Sequence, residues 1–350
     1  MRKPIHIVGP CSAETREQVL LTARQLKEAC GELPFIFRAG IWKPRTSPNT
    51  FQGVGIAGLE WLKEVKQTYG LPVATEVATP EHVEAALKAG IDYLWLGART
   101  SANPIAVQEL ANTINAASQK PKGVLVKNPV QEDAQLWLGN IERIEKTGVP
   151  VLAVHRGCNH QPCWKMAHTL RFSRPDIPLL IDPSHMSGEA SKISEVLDKA
   201  AELAYDGTMV EVHCCPEKAL SDAKQQITPK QFRDCLDSIV SRLSLVSLIS
   251  DHNGANEPNN FSELNWFRAE IDEADDKLWQ TIAERMDVSR RIGAYKQQHD
   301  INPLQPERFR QIVEKRIAWA KENQLPQEFV EQLMEIIHAE SLRVQKPTKD

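Results

Sequence analysis

Four residues of metal-ligand type stand at or just beyond the ends of strand-like runs. They are Cys11 in VGPCS, His185 in IDPSH, Glu211 in the last run, and Asp222 in the loop behind it. A thiolate, an imidazole and two carboxylates form a mixed set that suits a divalent ion of the Mn, Fe, Co or Zn range and not Ca²⁺. The more conspicuous cluster, His213–Cys214–Cys215 inside EVHCCPEKALSD, is a poorer candidate. Consecutive residues of an extended chain point to opposite faces, so these three do not converge on one ion, and the two cysteines read as small packed residues.

Five basic residues share the same kind of position: Arg38 in FIFRAG, Lys43 in IWKPRTS, Arg99 in GART, Lys127 in VLVKNP and Arg156 in AVHRG. An isolated arginine is usually a solvated surface charge. Five cations gathered at four run ends make coincidence unlikely. The net charge is −4, so the chain has no bulk attraction for nucleic acid, and an anionic ligand must be met by locally focused Arg and Lys.

The elements that carry these residues alternate. Runs at 5–9, 35–40, 72–77, 93–98, 123–128, 151–156, 178–183 and 208–213 are apolar almost throughout, as strands buried on both faces of a parallel sheet must be. Between them lie helix-like segments such as 14–30, 56–69, 80–89, 104–117, 133–147, 188–205 and 228–249. Eight such units in about 250 residues fit a (β/α)₈ TIM barrel, whose active sites lie at the C-terminal strand ends. The alternative, a doubly wound open sheet, is weakened because no G-x-G-x-x-G follows the first run.

Residues 251–261, DHNGANEPNNF, hold almost nothing apolar and read as a linker between a domain at 1–250 and another at 262–350. Beyond it, Leu264, Phe267, Ile271, Leu278, Ile282 and Ile292 recur at helical spacing, a proline turn INPLQPE follows, and 307–323 and 326–345 form two more helices. The second domain is therefore expected to be small and all-α, with three helices. No signal peptide or membrane-spanning run is present, and the mean hydropathy is −0.38. Seven cysteines without regular spacing point to a reducing, cytoplasmic setting.

VGPCSAE, RAGIWKPRTSPNTFQG, GAR, IDPSH and EVHCCPEKALSDAKQ closely resemble the 3-deoxy-D-arabino-heptulosonate-7-phosphate (DAHP) synthase family. The likeness is to the short microbial type related to the 8-phosphate octulosonate synthases, and it covers nearly all of 1–248. It implies condensation of phosphoenolpyruvate with erythrose 4-phosphate, the first step of the shikimate pathway. It also implies a divalent ion on Cys11, His185, Glu211 and Asp222, Mn²⁺ before Fe, Co or Zn, acting as a Lewis acid on the aldehyde oxygen. Attack by C3 of phosphoenolpyruvate, water addition at C2 and loss of phosphate by C–O cleavage would follow. By the same resemblance Arg38, Lys43, Arg99, Lys127 and Arg156, with Glu76 beside them, hold phosphoenolpyruvate. Arg45 and Thr46 take the phosphate of erythrose 4-phosphate, with Pro44 lining the slot. Lys43 or a metal-bound water gives the proton to the developing alkoxide. Two positions depart from the family: His155 where an acidic residue is common, and Asn128 where relatives of this type often have Arg.

Residues 262–345 resemble the all-helical chorismate mutase family through Arg268, Arg285, Lys296, Arg308, Ser341 and Gln345, with Gln305 where some relatives carry a carboxylate. That likeness implies rearrangement of chorismate to prephenate. The reaction needs a dicarboxylate held in a compact chair and a donor aimed at the ether oxygen. Arg285 and Arg308 suit the carboxylates, Lys296 and Gln345 the ether oxygen. Arg285 and Lys296 are about three helical turns apart and share a face, whereas Arg268 lies about 42 Å from Lys296 along one helix. One small substrate cannot touch both, so Arg268 either is a solvated charge or serves a second subunit, and an intertwined homodimer is expected.

Three readings compete: a bifunctional enzyme, a synthase whose tail is a non-catalytic sensor and dimeriser, and an octulosonate synthase with an incidental helical tail. KPRTS speaks against the third, since those relatives typically carry an Asn-containing motif there. The Arg and Lys set of the tail favours catalysis over sensing alone. The first run begins near Ile5, so no separate N-terminal regulatory domain is expected, and prephenate bound in the tail is expected to inhibit the synthase.

Overall fold

In the computed structural model, which describes residues 4–43, 50–239 and 260–345, each apolar run becomes a strand. The strands are β1 Ile5–Gly9, β2 Ile36–Arg38, β3 Val73–Val77, β4 Tyr93–Leu96, β5 Gly123–Lys127, β6 Val151–His155, β7 Leu179–Ile181 and β8 Gly207–Glu211. They pair in parallel and in sequence order, and β8 closes on β1 over Ile5↔Gly207 to Gly9↔Glu211. The helices that return the chain are α1 Arg16–Cys30, α2 Ala57–Tyr69, α3 Pro80–Lys88, α4 Ala98–Ser101, α5 Pro104–Ala116, α6 Ala134–Glu145, α7 Trp164–Ser173, α8 Pro183–Ser187, α9 Ile193–Glu202 and α10, residues 229–239. This is the expected TIM barrel.

Local chemistry sets the helix starts. Thr15 accepts the Gln18 N–H, Thr79 accepts the His82 N–H with Pro80 at the first position, and Asp133 accepts the Leu136 N–H. Each such cap contributes about 1 kcal/mol.

Two cores form because strand residues alternate between faces. One lies between sheet and helices. The other fills the barrel, and Ile36, Ala74, Leu125, Val154, Leu180 and Met209 belong to it. Two residues further along each chain, on the same inward face, stand Arg38, Glu76, Lys127, Arg156, Asp182 and Glu211. The barrel is thus apolar in its middle and charged at its C-terminal mouth, and that parity positions the site.

The chain divides into two compact units, residues 1–270 and 271–350. Helix α11, Asn260–Gln298, begins in the first and runs on into the second, followed by α12, Pro306–Glu322, and α13, Gln327–Val344. Within the second unit α11 and α13 touch at Gly293, where an added Cβ would lie 2.7 Å from the Cα of Gln345. Most of the expected linker and all of Pro44, Arg45 and Thr46 fall outside the described residues. Among those described, no helix is long and apolar enough to cross a membrane.

Candidate active sites

The charged mouth of the barrel encloses a cavity of about 290 Å³ lined by Arg38, Lys43, Glu76, Arg99, Lys127, Arg156, His185 and Asp222, with Trp95, Gly97 and the 156–160 loop completing the wall. All five cations read from the run ends therefore converge. Arg38 is the most deeply placed, 1% exposed. Its Nη2 donates to Glu211 Oε1 (3.1 Å), its guanidinium lies 4.7 Å above the Trp95 ring, and its Nε and Nη1 have no partner among the described residues. Buried N–H donors without acceptors are costly.

Cys11 Sγ, a Glu211 oxygen and an Asp222 oxygen lie within 4.8 Å of one another. The Cys11 thiol donates to Asp222 Oδ2 (3.0 Å), and His185 Nε2 is 3.7 Å from Glu211 Oε1. The donor set fits a divalent transition ion. His185 is turned toward it by Asp182, which accepts from the His185 backbone N–H (3.1 Å) and lies 2.9 Å from its Nδ1. Asp182, which the sequence does not single out, also receives Lys127 Nζ at 2.6 Å. Gln225 Nε2 donates to Glu211 Oε2 (2.7 Å), Gln226 Oε1 accepts the Cys11 N–H (3.0 Å), and both anchor the cluster from behind. Among the described residues, His213, Cys214 and Cys215 are not part of it.

Burial and charge set the protonation states. Burial, reinforced by Glu211, pushes the Cys11 thiol up to about 12, so a bound cation is what would favour the thiolate. Burial alone would raise Asp182 and Glu211. For Asp182, the nearby His185, Lys127 and Arg38 outweigh it and hold the carboxylate well below its ordinary value. For Glu211, His185, Arg38 and Lys43 do the same. The two lysines differ. Burial pulls Lys127 down despite Asp182, while for Lys43 burial is overcome by Cys11, Glu76 and Glu211, and it stays charged. Lys43 Nζ is 3.0 Å from Cys11 O and 3.1 Å from Cys11 Sγ, and the preceding Trp42 is pinned by stacking on His82 at 4.0 Å.

The two departures from the family are structural neighbours of Arg156. Asn128 Oδ1 accepts the Arg156 N–H (2.7 Å), and its Nδ2 donates to Gly157 O (3.1 Å). His155 points the other way, out of the barrel. It is buried and bonded through Nδ1 to Tyr205 Oη at 2.8 Å.

In the second unit Arg285 donates to Ser341 Oγ, and Gln345 Nε2 to Ser341 O (3.1 Å), while the buried Gln345 Oε1 has no partner among the described residues. Lys296 Nζ donates to Pro303 O (2.7 Å), and Lys296 and Gln305 line one cleft of about 490 Å³. Arg308 is exposed in the first turn of α12. Burial and then Arg316 lower Arg285, while burial, Arg285 and Lys296 lower His338, so Arg316 and His338 belong to this neighbourhood though the sequence reading did not single them out. Arg268 is exposed and donates to Asn265, one turn back on its own helix (3.4 Å).

Comparison with known proteins agrees with both halves. The DAHP synthetase I family matches residues 2–243 and the chorismate mutase type II family residues 267–346. The phospho-2-dehydro-3-deoxyheptonate aldolase of Thermotoga maritima is 32% identical over 243 residues, spanning 67% of this chain and 68% of that protein. A 2-dehydro-3-deoxyphosphooctonate aldolase of Variovorax paradoxus is 28% identical over 260 residues, 67% of this chain and 88% of the relative. The crystal structure of the Thermotoga maritima DAHP synthase superposes with a TM-score of 0.61 at 28% identity, over 70% of each chain. This chain belongs to the DAHP synthetase I family and carries a chorismate mutase type II domain fused behind the barrel.

Proposed function

We propose that the barrel condenses phosphoenolpyruvate with erythrose 4-phosphate and that the tail rearranges chorismate to prephenate. The observation that carries the first reaction is the convergence of Arg38, Lys43, Arg99, Lys127 and Arg156 on one cavity at the mouth of the barrel. The two phosphorylated substrates, one also a carboxylate, bring about five negative charges into one pocket. Arg38, Lys127, Arg156 and Arg99 take the phosphate and carboxylate of phosphoenolpyruvate, with Trp95 holding the Arg38 plane. Pro44, Arg45 and Thr46 take the erythrose 4-phosphate phosphate, on the strength of the KPRTS motif. Lys43, held charged in a buried setting, gives its proton to the developing alkoxide. Cys11, His185, Glu211 and Asp222 hold a divalent ion, Mn²⁺ in the first place, which supplies Lewis acidity toward the aldehyde oxygen.

In the tail, Arg285 and Arg308 hold the substrate carboxylates, Ser341 steadies Arg285, and Gln305 meets the hydroxyl. Lys296 and Gln345 donate toward the ether oxygen, where charge develops. Arg268 serves the site of a second copy. Ile271 and Trp279, 61% and 67% exposed on α11, support a homodimer through the helices. A monomer by light scattering at micromolar concentration would overturn that.

The test of the two activities is to assay both in Lys43→Ala and Lys296→Ala. Each change is expected to silence one reaction and spare the other, and loss of both together would overturn the assignment. Prephenate bound in the tail is further proposed to inhibit the synthase. The coupling is supported by α11, which carries Arg285 and Lys296 and, at its start, Trp266, buried 5.5 Å from the Tyr205 ring that bonds His155 beside Arg156. Ending the chain near 250 would strip Trp266 away, so the full chain is the right vehicle. Prephenate should inhibit wild type and not Arg285→Ala, and equal inhibition of both would sink the idea.

A further inference from the structure

The chain turns back on itself in two residues after β6. Cys158 N–H donates to Gln161 O (2.8 Å) and Gln161 N–H to Cys158 O (2.9 Å), with Asn159 and His160 between them. Both central residues are left-handed, φ 50° and 61°. This is the pattern of a tight hairpin turn for which Asn-Gly is favoured, because glycine takes the second left-handed position freely. Here that position holds a histidine. Residues held in such conformations cluster at active sites.

Its surroundings fix the ring. Nδ1 lies 3.1 Å from the backbone oxygen of His185, and a carbonyl only accepts, so Nδ1 carries the proton. The ring rests against Gly188, where an added Cβ would come within 2.7 Å of Nδ1. Of the two neutral tautomers the contact favours the one with the proton on Nδ1, and in that form Nε2 is a hydrogen-bond acceptor. His160 lines the cavity with Arg156, Arg99 and His185, but on its exposed rim, whereas Arg38 and Lys127 lie on its buried floor.

We infer that His160 is a specificity-determining residue for the second substrate, its Nε2 accepting a hydrogen bond from a hydroxyl of a short phosphorylated aldose. Ionised phosphoenolpyruvate has no O–H or N–H to give, so an acceptor on the rim has nothing to take from it. An aldose phosphate seated above it has hydroxyls. The inference rests on the reading of this cavity as the condensation site.

The test is steady-state kinetics of the full chain as wild type, His160→Gly, His160→Asn and Arg156→Ala. Each is run with both substrates and with aldose phosphates lacking one hydroxyl. Glycine accepts the left-handed turn, so Tm should stay within about 3 °C. KM for the aldose phosphate should rise about 10-fold in His160→Gly, with KM for phosphoenolpyruvate changed by less than about 2-fold. Wild type should disfavour one deoxy analogue by about 10-fold, and the variant should lose that discrimination. His160→Asn tolerates the turn but is shorter and lacks the ring nitrogen Nε2, and should behave like the glycine variant. Wild-type kinetics in His160→Asn, an unchanged aldose KM in a folded His160→Gly, or surviving discrimination would each overturn the proposal. Arg156→Ala should raise KM for phosphoenolpyruvate, and if it does not, the reading of the cavity fails rather than the role of His160.

Discussion

Asp182 holds Lys127 and His185 with one carboxylate, its Oδ2 2.6 Å from Lys127 Nζ and 2.9 Å from His185 Nδ1. The same residue caps α8 through the His185 N–H, so one carboxylate ties together the helix start, Lys127 and His185. Asp182→Asn keeps the volume and removes the charge. Lys127 then loses its hydrogen-bonded counter-charge, a loss of up to about 3–5 kcal/mol, and His185 loses the partner that orients it. Mn²⁺ affinity should fall about 10–100-fold, read as ion content after gel filtration, together with a lowered Tm. Full ion content at an unchanged Tm would show that Asp182 orients neither group.

Gly97 and Glu76 set a second constraint. A Cβ at Gly97 would lie 2.1 Å from Glu76 Oε1, the far end of a side chain that can swing away. The Gly97 backbone, φ −68°, suits any residue. Gly97→Ala should therefore cost little stability while displacing Glu76 inside the cavity. A shift of about 1 Å can cost about 100-fold in rate, so synthase kcat/KM should drop by roughly 10–100-fold with Tm nearly unchanged. Unchanged kinetics would mean that Glu76 does not touch the reaction.

Two buried histidines make the barrel acid-sensitive. Burial lowers His6 to about 4, and burial with Arg156 lowers His155 to about 3. In the unfolded chain both titrate near about 6.5, so below that pH the unfolded state binds protons that the native state does not. Stability is complete above about pH 6.5 and falls by about 1.4 kcal/mol per pH unit for each histidine as the pH drops toward those lowered values. Denaturant melts at pH 7, 6 and 5 should show the decline. His155→Gln should flatten the slope by about 1.4 kcal/mol per unit, and parallel curves for the two proteins would sink the assignment.

The barrel is legible in the sequence because strands buried on both faces leave unbroken apolar runs, and its mouth is legible because Arg38, Lys127 and Glu211 close those runs. The apolar runs 35–40 and 178–183 are wider than the strands they contain, Ile36–Arg38 and Leu179–Ile181. Parity tells more than adjacency. His155 and Arg156 are neighbours in sequence, yet one faces the helices and the other the cavity. Asp182 escaped notice because its motif, DPSH, drew attention to the histidine, while hydrogen bonds to Lys127, 55 positions away, have no local signature. Arg316 and His338 were missed for the same reason, as their relation to Arg285 exists only once three helices have packed.

That packing has its own test at Gly293. Replacing glycine by alanine within a helix favours the helix by about 1 kcal/mol, which alone would predict a stabler tail. Against it stands the contact of a new Cβ with α13: 2.7 Å to the Gln345 Cα and 2.8 Å to its backbone oxygen. Backbone cannot rotate aside as a side chain can, so α13 must shift, and overpacking of this kind costs about 1–3 kcal/mol. The shift falls on the residue whose amide is proposed to meet the ether oxygen and on the turn that carries Ser341, the partner of Arg285. The two energies come close to cancelling in Tm, whereas the displacement of Gln345 does not cancel. Gly293→Ala should therefore lose roughly 10–100-fold in mutase kcat/KM with little change in melting and with synthase activity retained. Mutase kinetics within 2-fold of wild type would mean that Gln345 is not needed where this reading puts it.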